Sequence, residues 1–368
     1  MLYLPKRRPS CTAASILALA CASLATAQPA GHAWTVVCDD NAIAILEVTP
    51  VGSGTAALKF SRVDQSGNRL TPQEWRTVAK FRQWTGAWEV VTGRRLSSGA
   101  WAIARSELAG GTHVLQYLHT DADLRNRATP IDRWLELIDS VRLVDQKPDE
   151  RPRLIDVSEP SIVEHAGQVY LIGESYLFHS PPDEYAVWVA PAKTAEQPHR
   201  VARSLQGGRI IATGENPRVA KMDNRFVVSV QRRQPGVDRL WGKCVRLYAS
   251  TDLEHWEPFP SPPASFEFYD YKSCIAPNGL TLVGIVDTSR PDERGHRGGR
   301  QDYTPPLALV TLVYDAERQS WNALATRPDS SLTRETQIHL LPPEASAGEL
   351  KLIERSADGQ FTTRNLAE

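Results

Sequence analysis

Two acidic residues sit beside prolines in a stretch that the chain repeats. Glu159-Pro160-Ser161-Ile162-Val163 leads through Ala166-Gly167 into Val169-Tyr170-Leu171-Ile172-Gly173. Glu215-Asn216-Pro217-Arg218-Val219-Ala220 leads through Asp223-Asn224 into Arg225-Phe226-Val227-Val228-Ser229-Val230, and the two prolines are 57 residues apart. A looser third copy, Tyr271–Gly284, has Asp270 just ahead of it and Asn278-Gly279 as its turn. Aligning the copies around one axis brings Glu159, Glu215 and the Asp270-Tyr271 pair to a common mouth, with Glu335 ahead of a later inner strand. Glycosidic cleavage needs two carboxyl groups, one protonated and one ionised, and crowding raises at least one pKa. Glu159 and Glu215 are the candidate acid and base, with Asp270 as modulator. The opposing reading has each acid capping a turn or pairing with an arginine at a repeat junction.

Arg218 follows Glu215 in its repeat. The loop 289–303 adds Arg290, Arg294, Arg297 and Arg300 together with His296 and Tyr303. Guanidinium forks match carboxylates, so Arg218, Arg297 and Arg300 are candidate contacts to a sugar acid, with Tyr271 and Glu335 beside them. His296 and Tyr303 are the base and acid that a lyase would need. A solvated loop, neutralised by its own Asp and Glu, is the plainer alternative. Tyr269, Tyr271, Trp84 and Trp88 offer faces on which sugars stack or which pack between sheets. His165, in a hairpin turn, is expected at the surface.

The elements that must position these residues are strands. Both copies are rich in β-branched and aromatic residues and turn on dipeptides suited to hairpins. A strand-built period of roughly 40 to 60 residues predicts an all-β protein of the β-propeller class. Six strand-rich segments follow one another after the first 27 residues, so six blades are expected, with five or seven as alternatives. The last segment is short of strands, and a strand from the mature N-terminus is expected to close the ring. Long helical periodicity is missing, and Gln146–Pro152 reads as a connector.

The chain has 368 residues and a formal net charge of −1, a balance that argues against nucleic acid as partner. Lys6-Arg7-Arg8, the apolar run Ala13–Leu24 and Ala25-Thr26-Ala27 predict a signal peptide cleaved after Ala27. Residues 28–368 then form a single domain, exported to the periplasm or secreted, without stable membrane insertion and monomeric. Cys38, Cys244 and Cys274 remain after cleavage. Cys244 and Cys274 lie in neighbouring repeats and are the favoured bridge, three reduced thiols being the alternative. No cofactor is expected, a structural calcium ion being compatible with the sequence. No Cys-x-x-Cys or His-rich cluster marks a metal site.

Ser250-Thr251-Asp252-Leu253-Glu254-His255-Trp256 resembles the Ser-x-Asp turn ending in Trp of sialidases, and still more that of arabinanase- and invertase-like propeller glycosidases. Tyr314–Trp321 is a degenerate second case. In such turns the Asp accepts backbone N–H groups and the Trp plugs the gap between sheets. Glu159-Pro160-Ser161-Ile162-Val163 also looks like the inner strands of those glycosidases, whose acidic residue points into the central pocket. The resemblance spans about residues 154–322. It departs at Glu254, where sialidases carry Gly, and in lacking their Arg-Ile-Pro. It implies an exported glycoside hydrolase acting on an oligo- or polysaccharide, with an acidic glycan as one form. A non-catalytic glycan- or protein-binding propeller and a polysaccharide lyase are the alternatives.

Overall fold

The computed structural model describes residues 34–39, 42–52, 55–63, 76–82, 90–109, 112–120, 136–147, 149–177, 185–192, 203–222, 224–233, 243–263, 268–275, 281–288, 306–328, 338–340, 351–355 and 361–365. Every regular element among the described residues is a β-strand, in successive antiparallel meanders. The first holds β1 (Trp34–Asp39), β2 (Ala42–Gly52), β3 (Thr55–Val63) and β4 (Arg76–Arg82). The second holds β5 (Val91–Arg95), β6 (Trp101–Ala109), β7 (Thr112–Thr120) and β8 (Glu136–Leu143). The third holds β9 (Leu154–His165), β10 (Gln168–Leu177), β11 (Tyr185–Pro191) and β12 (Arg203–Thr213). In the fourth are β13 (Glu215–Met222), β14 (Arg225–Arg233), β15 (Lys243–Ser250) and β16 (Glu257–Phe259). The fifth comprises β17 (Phe268–Ile275), β18 (Thr281–Asp287), β19 (Leu307–Asp315) and β20 (Ser320–Pro328). β21 (Ile338–Leu340), β22 (Lys351–Arg355) and β23 (Phe361–Asn365) make the last.

The first strands of successive meanders touch in a closed cycle. β1 meets β5, β5 meets β9, β9 meets β13, β13 meets β17, β17 meets β21, and β21 returns to β1. First strands around an axis, with the remaining strands running outward, are the β-propeller arrangement that the repeats predict. Edge pairing stitches some meanders together. β8 pairs antiparallel with β9 and parallel with β12, and Lys243 on β15 pairs with Phe268 on β17.

The core lies in the layers between sheets. Leu171 on β10 packs with Leu115, Val157 and Trp188, while the next residue, Ile172, packs with Phe226, Val228 and Val230 of the fourth meander. Successive side chains of a strand point to opposite faces, and here both faces are covered. These strands therefore read as continuous apolar runs, and burying each large side chain stabilises by about 1.5–3 kcal/mol. Ala166 and Gly167 both have positive φ, 49° and 76°, which makes the β9–β10 connection the primed turn that matches strand twist.

β12, β16, β20 and β23 are the last strands of their meanders. β12 contains Arg203-Ser204-Leu205-Gln206-Gly207-Gly208-Arg209, a polar, glycine-rich run held by pairing to β11 and β8 and carrying little pattern of its own. β1 is the innermost strand of the first meander, paired to β2. The expected signal peptide lies outside the described residues, and among those described no N-terminal strand joins the sheet of β21, β22 and β23.

Candidate functional site

The two repeated stretches build the same backbone feature. On β9 and β10, Ser161 faces Ile172 and Ser158 faces Glu174, so three steps oppose two. On β13 and β14, Arg218 faces Ser229 and Glu215 faces Gln231, again three against two. Each first strand thus carries a β-bulge, a device that re-aims side chains. The bulged residues before the prolines are Glu159 (φ 49°) and Asn216 (φ 54°). A left-handed conformation in a non-glycine residue ahead of proline costs about 1–3 kcal/mol and persists only where the surroundings fix it. The structural equivalences are therefore Ser158 with Glu215, Glu159 with Asn216, and Glu174 with Gln231. Glu159 and Glu215, aligned with each other in the sequence, occupy neighbouring positions of the bulge.

Around these bulges three carboxyl groups gather. Glu159 Oε2 accepts from Arg218 Nη2 at 2.9 Å, their side chains being 7% and 26% exposed. Arg218 also donates to the Pro217 carbonyl at 2.9 Å. Glu215 pairs with Lys243, whose side chain is 2% exposed against 14% for Glu215. The third carboxyl is that of Glu174 on β10, buried, which sequence reasoning missed. Its Oε1 accepts from Ser158 Oγ at 3.1 Å and its Oε2 from the Asn216 backbone N–H at 2.5 Å. Asn216 in turn donates through Nδ2 to Gln231 Oε1 at 3.0 Å.

The electrostatics divide the three acids. Burial pushes Glu174 up to about 8, and the negative charge of Glu159 adds to the shift. Hydrogen bonds from Asn216 and Ser158 oppose it, and the charge of Glu215 adds again. Desolvation outweighs the hydrogen bonds, and among the described residues no cation is paired with this carboxyl. Glu159 and Glu215 thus each face a cation, whereas the buried Glu174 holds its proton at neutral pH.

The other predicted site residues separate from this cluster to different degrees. Asp270 and Tyr271 lie on β17 within an irregular stretch where five steps oppose two, Phe268 facing Val286 and Ser273 facing Gly284. This is a first strand of the same ring, so the backbone places both at the corresponding position. Arg297, Arg300 and Glu335 lie outside the described residues, as do His296, Tyr303, Trp84 and Trp88. His165 is half-buried, packing edge-on against Phe226 at 5.4 Å, because the hairpin turn abuts the next meander. Cys244 is buried and free, its thiol 3.5 Å from the Arg232 carbonyl, so the expected bridge to Cys274 is not formed.

A second polar pair also escaped sequence reasoning. His113 Nδ1 lies 3.0 Å from Asp156 Oδ1, and the His113 backbone N–H binds the same oxygen. Burial pushes Asp156 up, but the bonds and charge of His113 outweigh it and hold the carboxyl below its usual value. Among the described residues, no group of three or more His, Cys, Asp or Glu side chains is arranged to hold a metal ion. None of their helices is long and apolar enough to cross a membrane.

The Ser-x-Asp turn forms as its residues require. Asp252 Oδ1 accepts the backbone N–H groups of Glu254 and His255, both at 2.8 Å, and Ser250 Oγ accepts that of Leu253 at 2.9 Å. Leu253 takes a positive φ of 64°, and Trp256 donates to its carbonyl at 3.2 Å while packing between the third and fourth meanders. In the degenerate copy, Asp315 accepts from Glu317 and Arg318 at 3.0 and 3.1 Å, and Trp321 donates to the Pro260 carbonyl at 2.7 Å.

No family model matches the chain, and no curated protein matches it. Among solved structures it is similar to the alpha-L-arabinofuranosidase from Lactobacillus brevis, at 10% identity over 79% of this chain and 94% of that one, with a TM-score of 0.43. It is similar to a subtype N10 neuraminidase-like protein of A/little yellow-shouldered bat/Guatemala, at 8% identity over 89% and 92%, with a TM-score of 0.48. The Trypanosoma rangeli sialidase aligns at 10% identity over 90% of this chain and 53% of that one, with a TM-score of 0.45. The fold assignment rests on the strand order and the closed cycle of first strands.

Proposed function

We propose that the protein is an exported, carbohydrate-active propeller, a glycoside hydrolase acting on an acidic glycan. The observation that carries this reading is the convergence of Glu159 and Glu215, each beside a cation, at the bulged first strands. Cleavage of a glycosidic bond requires two such carboxyl groups. Glu215, paired with Lys243, is assigned as base or nucleophile, and Glu159 as the acid. Arg218 is the more exposed partner of its pair. A sugar carboxylate that engages its guanidinium competes with Glu159 for that cation. Asp270 serves as modulator, and Tyr271, Arg297, Arg300 and Glu335 complete the substrate contacts in this reading.

The test is release of new reducing ends from a panel of neutral and uronate-containing polysaccharides. Glu159→Gln and Glu215→Gln are expected to lower turnover by roughly 10²–10⁴-fold with the fold intact by circular dichroism. Full activity in both variants removes the assignment. The ion pairs of Glu159 and Glu215 favour a second reading, a propeller that binds glycans without cleaving them. Retention of a polysaccharide with no product would establish that reading, and ultraviolet-absorbing products would instead indicate a lyase.

A further inference from the structure

We propose that Glu174 is the positioning residue of the acidic cluster, its carboxyl tying the bulge that presents Glu159 to the bulge that presents Glu215. This rests on the functional reading above for its consequence, but its geometry stands independently. Glu174 lies on the second strand of the third meander, away from the bulged strands themselves. One oxygen binds Ser158, immediately before Glu159, and the other binds the N–H of Asn216, immediately after Glu215. Ser158 and Asn216 belong to different meanders, so a single side chain fixes two strained segments across a sheet boundary. Ser161 Oγ, which donates to the Pro217 carbonyl at 3.2 Å, is a second link across the same boundary.

The strut works as a carboxylic acid. The ionisable groups around it are Glu159 on β9 and Glu215 and Arg218 on β13, with Lys243 on β15 neutralising Glu215. On β11 its register partner is the apolar Val187. Arg218 and Lys243 are already committed to the two flanking carboxylates, so an ionised Glu174 would be a third buried negative charge. Protonated, its hydroxyl can donate to Ser158 Oγ, reversing the direction of that bond, while the carbonyl oxygen keeps the Asn216 N–H.

Glu174→Gln reproduces this neutral strut in shape and in hydrogen bonds, whereas Glu174→Ala leaves the Asn216 N–H buried without an acceptor. Two measurements without substrate test the proposal. Amide exchange at Asn216, followed by NMR, is expected to quicken roughly ten-fold or more in the alanine variant and to stay within about two-fold in the glutamine variant. Unfolding by denaturant is then compared from pH 4 to pH 9. The folded state retains a proton that the unfolded state loses above about pH 4.5. The native protein therefore loses about ten-fold in its folding constant per pH unit against Glu174→Gln until about pH 8, then runs level with it. Parallel pH curves, or unchanged Asn216 exchange in Glu174→Ala, would overturn the proposal. If the alanine variant does not fold, the pH comparison decides alone. Absence of glycan hydrolysis in the native protein, with these results intact, would count against the proposed function only.

Discussion

The third and fourth meanders share one backbone and divide its chemistry. Each has a first strand bulged ahead of a proline, with a positive-φ residue at the bulge and a buried polar residue opposite on the second strand. In the third meander the three positions read Ser158, Glu159 and Glu174; in the fourth they read Glu215, Asn216 and Gln231. Had the repeat kept its side chains identical, either four carboxyls or two would occupy these bulge and second-strand positions. Divergence instead leaves three, two with a cation each and one without. The lesson is that the repeat supplies geometry, and departure from the repeat supplies the charge pattern.

The sharpest way to break this contrast is to remove a cation. Lys243→Met removes the buried cation that faces Glu215, and a loss of about 3–5 kcal/mol in chemical denaturation is expected. Arg218→Met should cost less, about 1–3 kcal/mol, because Arg218 is the more exposed cation and water can reach its place. Equal losses would mean that the two ion pairs are equivalent and that the meanders do not differ electrostatically.

A packing difference gives the next largest effect. Gly173 faces Trp188, and an added Cβ would lie 2.6 Å from Trp188 Cζ2 and 2.9 Å from the Ser158 carbonyl. Its counterpart in the fourth meander is Val230, which faces Arg246. Gly173→Ala is expected to destabilise by about 1–3 kcal/mol, and by clearly less in a Trp188→Leu background. An undiminished cost would place the conflict with the backbone and not with the indole.

The two Ser-x-Asp-like turns give the smallest contrast. Asp252→Ala removes an acceptor for two backbone N–H groups and should cost about 1–2 kcal/mol, with Asp315→Ala nearer 0.5–1. The hydrogen bond from His255 holds the Asp252 carboxyl well below the usual carboxylate range. Its contribution is therefore present above about pH 4 and lost as pH falls below it. Thermal unfolding of Asp252→Ala should show a shallower acid limb than that of the native protein.

Much of this architecture was legible beforehand because it depends on local chemistry. Ala166-Gly167 encodes a primed turn, and Ser250-Thr251-Asp252 encodes its own capped loop. The apolar runs around Leu171 and Val228 encode strands covered on both faces. Glu174 was not legible. It stands at the end of an apolar run, where a lone Glu gives no sign of the face on which it is buried. The 57-residue offset that relates it to Gln231 was the signal available, since both are polar residues closing equivalent strands. The same offset would have matched Glu159 with Asn216.

By itself, then, the sequence determined the repeat, its turns and the all-β class, since these follow from the conformational preferences of adjacent residues. Tertiary structure alone decided which acids meet, which cation each acquires and which remains protonated. Those properties depend on desolvation and on hydrogen-bonding and charged groups as far apart along the chain as Ser158 and Lys243, brought together only when neighbouring sheets pack. Spacing along the backbone carries no measure of that burial.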